Sequence, residues 1–327
     1  MRRKIKTHFI YTLILTLACL SLSKSANAQR LENSLWAVAA GPKYTAVGGN
    51  FDSLFLYANE IPRLDVSLPI SGTITNLKWH PTEDLLAISI QSSTVGLLIL
   101  DLRTMKLDTL GVAIHGARAL GWSPSGERLA VGDNEGDLYI FDQRLDLLKT
   151  VDTGLRSITG LDWHPQKNLI TMVSGKIGEY DLDTDQMRTW ESRKEEVLML
   201  SIAWHPSGAF FATGDYGDYI EKYPALLQFW NEDGSLIRSV EGSKAEYRNI
   251  RWTPDGTHLA TASEAFRLWG TSGNLVTALP FDHLLWGLSF DKKHNQWLAT
   301  DNTGQVFMIS KDGTQRVTKV SPFHRRQ

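Results

Sequence analysis

Leu161-Asp162-Trp163-His164-Pro165 is one of five copies of a single phrase, the others centred on Trp79-His80-Pro81, Trp122-Ser123-Pro124, Trp204-His205-Pro206 and Trp252-Thr253-Pro254. The copies stand roughly forty residues apart, a period that marks a repeat architecture in which each unit is one supersecondary element. Two weaker copies flank them, one anchored on Val38 within Leu35-Trp36-Ala37-Val38 and one on Phe290 within Leu288-Ser289-Phe290-Asp291. Two residues before the seven anchors stand Trp36, Leu77, Leu120, Leu161, Ile202, Ile250 and Leu288, all large and apolar. The positions one and three before are mostly small or polar, among them Asn76, Lys78, Asp162, Asn249 and Arg251. That alternation has the period of a β-strand with one tightly packed face.

After each anchor comes a turn and a second apolar run, as in Leu85 to Ile90, Leu169 to Val173 and His258 to Ala262. A third run follows a turn rich in Gly, Asp or Asn, such as Asp133-Asn134-Glu135-Gly136 before Leu138 to Phe141, and a thinner fourth follows, such as Leu147 to Val151. Four short strands per unit with Gly/Asp turns describe a propeller blade, and no convincing helical periodicity is present beyond the N-terminal segment. The expected fold is therefore all-β: a seven-bladed β-propeller of four-stranded antiparallel blades, with the Trp-bearing strand innermost. A fourth strand near Gln315 to Val320 lets the last blade complete itself without borrowing an N-terminal strand.

On these residues the chain resembles the WD-repeat family of β-propellers. In that family the third strand ends in Trp-Asp, and the matching pairs are Leu100-Asp101, Phe141-Asp142, Tyr180-Asp181, Trp230-Asn231 and Trp269-Gly270. The family's Gly-His pair is mostly missing, with His115-Gly116 (reversed) and Asp282-His283 its nearest counterparts. A second propeller family, found in periplasmic translocation proteins and in the non-catalytic domain of prolyl peptidases, shares the turn seen in Ser123-Pro124-Ser125-Gly126. Blade number separates the two.

Arg2, Arg3, Lys4 and Lys6 precede an apolar run from Phe9 to Leu22, and Ala26-Asn27-Ala28 places small residues where a signal peptidase reads. Residues 1–28 read as a cleaved secretory signal and 29–327 as a single propeller domain, secreted or periplasmic. A membrane anchor fits less well because the run is short for a span of about 20 residues, and lipid attachment at Cys19 fits less well because Thr16 stands where such signals favour Leu. Removing Arg2, Arg3, Lys4, Lys6 and Lys24 from 34 basic residues leaves 29 against 36 acidic ones. A mildly acidic domain argues against a nucleic-acid partner, whose backbone needs a basic stripe. With Cys19 removed no disulfide is available, so packing must supply the stability of what is expected to be a monomer.

The largest departure from the repeat lies in the fifth unit, where Ala212 to Trp230 spans 18 positions against 11 for Ala130 to Phe141 in the third. The excess, Asp215 to Pro224, carries Tyr216, Asp218, Tyr219 and Tyr223 and has the composition of a recognition loop; a longer hairpin with its tyrosines packed on the rim is the plainer reading. Family topology adds candidates on the same face: Arg118, Arg156, Tyr247, Arg248, Asp282, His283 and Trp286.

Catalytic patterns are thin. His80, His164 and His205 share one repeat position, but equivalent points on separate blades do not converge on the roughly 2 Å bonds a metal needs, so they read as turn residues. Asp162 with Asn76 and Asn249 would make a weak cation site in the channel. Neither a nucleophile elbow with plausible triad partners nor a phosphate loop is present. The expected function is that of a non-enzymatic scaffold binding a protein or peptide, without cofactor or metal; the alternative is a hydrolase or lactonase-like enzyme with its site in the central channel. Carboxylates and histidines clustered in the channel would favour the enzyme, an aromatic and uncharged centre the scaffold.

Overall fold

The computed structural model describes residues 34–58, 63–92 and 95–320. The proposed signal, with Cys19, lies outside the described residues. Seven sheets of four antiparallel strands follow one another in chain order, each formed from four consecutive strands. Blade 1 runs over residues 35–69, blade 2 over 73–109, blade 3 over 117–152, blade 4 over 160–190, blade 5 over 199–241, blade 6 over 249–280 and blade 7 over 285–320. No helix occurs among the described residues.

The first strand of each blade is innermost, because these strands pack on one another around the ring, Leu35–Ala40 of blade 1 lying against both Thr73–Trp79 of blade 2 and Leu285–Asp291 of blade 7. Leu285–Asp291 also begins a complete sheet that ends in Arg316–Val320, so the ring closes without strand exchange. Fourth strands such as Leu147–Asp152 and Leu236–Glu241 are largely exposed, while second and third strands are buried almost throughout. Core therefore forms between neighbouring blades. Leu77 and Leu86 pack with Ala39 and Leu54, and Trp163 and Ile170 with Ala119 and Ala130.

The repeated phrase makes these joints. The indole N–H of Trp79 donates to the Ala39 carbonyl (3.0 Å), Trp122 to Lys78 (3.1 Å), Trp163 to Gly121 (2.8 Å) and Trp252 to Ala203 (3.2 Å), each reaching back one blade. The histidine after the Trp reaches forward. His80 Nε2 bonds the Gly126 carbonyl at 3.0 Å, His164 that of Gly208 at 3.1 Å and His205 that of Gly256 at 3.0 Å. Each ring also meets the next blade's Trp edge to face, at 4.6, 4.6 and 4.8 Å. The turn glycine is required twice over: Gly208 has φ +75°, and a Cβ there would lie 2.6 Å from the His164 ring.

One expectation needs correction. In blades 2, 3, 5 and 7 a bulged residue, Thr75, Arg118, Leu200 or Trp286, lies four positions before the anchor. In blade 1 the bulge is at Trp36, which makes Ala40 rather than Val38 the anchor. Ala39 then accepts the Trp79 N–H from the position that Lys78, Gly121 and Ala203 hold in their blades. A shift of two preserves strand parity, so the wrong anchor still gave the right strand.

Candidate functional site

The bulge gives the propeller its channel mouth. A bulge re-aims the displaced side chain, and Trp36, Thr75, Arg118, Leu200 and Trp286, with the unbulged counterparts Thr159 and Arg248, all line one central cavity. Four of them meet. Trp36 and Trp286 stand edge to face at 5.1 Å, and the Arg248 guanidinium lies 4.2 Å from the Trp286 ring centre and 5.5 Å from that of Trp36. Arg118 of blade 3 reaches past blade 2 to within 5.4 Å of Trp36. Arg248 is held by Glu246, whose Oε1 accepts from Nε at 2.8 Å. Three residues expected on this face, Arg118, Arg248 and Trp286, are thus brought together, with Trp36 as the member that sequence reasoning overlooked.

Deeper in the same cavity, one position before their anchors, stand Lys78, Asp162 and Arg251 on blades 2, 4 and 6. Both Asp162 oxygens are occupied by backbone, accepting from Trp163 N at 3.1 Å and Trp204 N at 2.8 Å. Burial pushes its carboxyl up, against the pull of Lys78 and Arg251. Loss of bulk water, aided by the like charge of Arg251, pushes the Lys78 ammonium down to about 7. All three residues are half-buried. The cavity is cationic: Lys78, Arg118, Arg248, Arg251 and Lys292 line it against Asp162 alone, and no histidine does. Asn76 and Asn249 also line it, but this excess of positive charge opposes the weak cation site that they would make with Asp162. The centre is aromatic but charged, matching neither of the two patterns set out above.

The insertion grows from a clamp that the repeat already owns. In blade 3, Asp133 Oδ1 accepts from Glu135 N and Asp137 N, both at 2.9 Å, to close the turn between second and third strands. In blade 5, Asp215 Oδ1 does the same for Gly217 N (2.9 Å) and Leu226 N (2.7 Å), so the extra residues enter between the jaws without disturbing the blade. Asp215 is accordingly a buried repeat residue, not part of the excess. Desolvation pushes its carboxyl up while these N–H groups and Arg193 pull the other way. Arg193, from the neighbouring blade connection, donates to Asp215 Oδ2 (3.2 Å) and the Pro224 carbonyl (3.1 Å) and lies 5.5 Å from the Tyr223 ring.

At the tip, Tyr219 is 96% exposed and Ile220 75%. Tyr216 and Tyr223 are partly covered, Tyr223 by Arg193, so rim packing accounts for part of these two rings and not for Tyr219. Asp218 shapes the turn: its Oδ1 accepts from Ile220 N and Glu221 N, both at 2.8 Å, and its N–H bonds the Tyr223 carbonyl at 2.9 Å.

The remaining candidates scatter. Tyr247 is a correction: fully buried, it packs with Leu227, Phe229 and Ile250 between blades 5 and 6, and burial pushes its phenol up. The connection bearing it lies at the face, but its side chain turns into the joint, where Gly214 leaves room. Arg156 pairs with Glu196 at 3.5 Å, both exposed. Asp282 and His283 stay in the loop between blades 6 and 7, exposed and half-buried. No group of three or more His, Cys, Asp or Glu residues with metal-holding geometry occurs among the described residues. No protein-family model matches the chain.

Proposed function

We propose that this protein is an exported, non-enzymatic propeller of the WD-repeat kind that binds a protein or peptide through the face carrying the hairpin of residues 216–225. The observation that carries the reading is Tyr219 and Ile220 held out in solvent on a clamped, hydrogen-bonded base. A preformed loop avoids the ordering cost that a mobile one would meet on binding, and tyrosine supplies wide contact at low entropic cost. Exposed apolar residues on a closed ring also contribute nothing to its core.

The test is capture of partners from the native envelope fraction by the mature domain and by a Tyr219→Ala/Ile220→Ser variant. Capture is expected to fall at least about tenfold, as hot-spot residues commonly cost about 2 kcal/mol or more each, with melting unchanged. Undiminished capture by the folded variant would move the binding face elsewhere. Mass spectrometry of the same material is expected to place the N-terminus at Gln29.

A further inference from the structure

Lys78 and Arg251 are charged side chains without a direct partner among the described residues. Among the described residues neither side chain makes a hydrogen bond, and neither forms a salt bridge with Asp162 although both feel its charge. Arg251 Nε is buried without a partner, and so is the indole N–H of Trp286, a residue only 6% exposed that lines the same cavity. Glu246 balances Arg248, but Lys78 and Arg251 together face the single carboxylate of Asp162, each of whose oxygens already accepts a backbone N–H. Unbalanced like charges in a recess of low dielectric repel and are costly to hold. Repeat proteins tolerate Gly, Ala or Ser at this position, as Gly121, Ala203 and Ser289 show in the other blades. The charges are therefore surplus to packing, and they line one cavity from blades three apart on the ring.

We propose that the central channel binds an organic anion, its carboxylate or phosphate group seated between Lys78 and Arg251. The cavity measures about 450 Å³, a volume suited to a small ligand. The guanidinium offers a planar fork to an oxyanion and the ammonium a point charge. The Trp36, Trp286 and Arg248 cluster lines the same cavity and would border the remainder of the ligand. The oxyanion has two sources, a free small acid or an acidic side chain of a bound partner. This site lies apart from the 216–225 hairpin and does not depend on partner binding there.

Calorimetric titration of the full chain at low ionic strength with three probes, citrate, inorganic phosphate and a hexaglutamate peptide, tests the assignment. Saturable 1:1 binding of at least one probe is expected, weakened about tenfold or more in Lys78→Met and in Arg251→Gln and unchanged in Tyr219→Ala/Ile220→Ser. Binding of citrate or phosphate identifies the free acid as the source; binding of hexaglutamate alone, lost in the same two variants, identifies the acidic side chain. No saturable binding by any of the three, or binding that folded Lys78→Met and Arg251→Gln leave unchanged, overturns the proposal. Circular dichroism checks each variant, and if Arg251→Gln fails to fold Lys78→Met carries the comparison, with Arg251→Lys as its replacement.

Discussion

Trp36 of the first blade and Trp286 of the last meet edge to face at 5.1 Å, on the seam where the ring closes with no shared strand. Among the described residues the hydrogen bond that backbone contributes at this seam is the Ala40 N–H donated to Ser289 Oγ at 3.0 Å, so side-chain packing has to hold it. Arg248 lies against both rings, adding a third blade to the joint.

Replacing Trp286 with Ala removes a nearly buried aromatic and its contacts with Trp36 and Arg248. A loss of about 3–5 kcal/mol is expected from aromatic truncation in a packed site, measured by urea denaturation. Because the seam is where the ring opens, hydrogen exchange in Leu35–Ala40 and Leu285–Asp291 should accelerate more than in the inner strand of blade 4, Gly160–Trp163. Uniform acceleration would show that the seam has no special role.

The His164–Gly208 latch predicts coupling. Gly208→Ala places a Cβ 2.6 Å from the His164 ring at a φ of +75°, and a cost of about 2 kcal/mol or more is expected from clash and backbone strain together. In a His164→Ala background the clash is gone and the cost should fall to about 1 kcal/mol, the left-handed penalty alone. A double-mutant cycle with no interaction energy would contradict the latch.

The same histidine sets an acid limit. Its Nδ1 accepts from Gln166 N at 3.0 Å and Lys167 N at 3.1 Å, which requires that nitrogen to be unprotonated. Burial holds the imidazole below its ordinary 6.5, more than Glu232 raises it. Below 6.5, and down to its lower folded value, the unfolded chain takes a proton that the folded one refuses, so this residue's contribution is present above 6.5 and lost as the pH falls. His164→Gln, which keeps a donor and an acceptor but cannot titrate, should be less stable at pH 8 and lose less between pH 7 and 5. Melting curves across that range check the sign; parallel losses would contradict it.

The strand order was legible because the Trp-x-Pro phrase and the apolar residue two before it report inter-blade packing, which is local and repeated. Blade 1 was misaligned because Ala40 carries none of that chemistry; its identity emerges only from the bulge at Trp36. The hairpin was legible as extra length, whereas its true base required seeing Asp215 in the clamp that Asp133 forms in blade 3. Lys78 and Arg251 stood in plain sight as charges at a small-residue position. That they line one cavity depends on ring closure, which brings together residues far apart in sequence, and no local pattern encodes it. Tyr247 failed for the opposite reason: topology placed its backbone correctly and said nothing about where its side chain turns.

Central to this account is that the residues by which the blades differ are kept for binding rather than for the fold, and Lys78 puts this most sharply. Its ammonium is pushed down to about 7 by burial and by Arg251, with Asp162 opposing, while Arg118, Arg248 and Lys292 line the same cavity. A lysine held below its ordinary 10.5 penalises the folded state fully at pH 6, and the penalty fades as the pH rises from about 7 through 10.5, where the unfolded chain also sheds its proton. The decisive measurement is the melting of Lys78→Met against the parent protein at pH 6 in low salt without added anion. The account predicts that the variant is more stable, by about 1–2 kcal/mol, as when a buried charge gives way to an apolar residue of similar volume, with the gain shrinking toward pH 10. A variant less stable than its parent at pH 6 would mean that Lys78 serves the fold, and would contradict the claim.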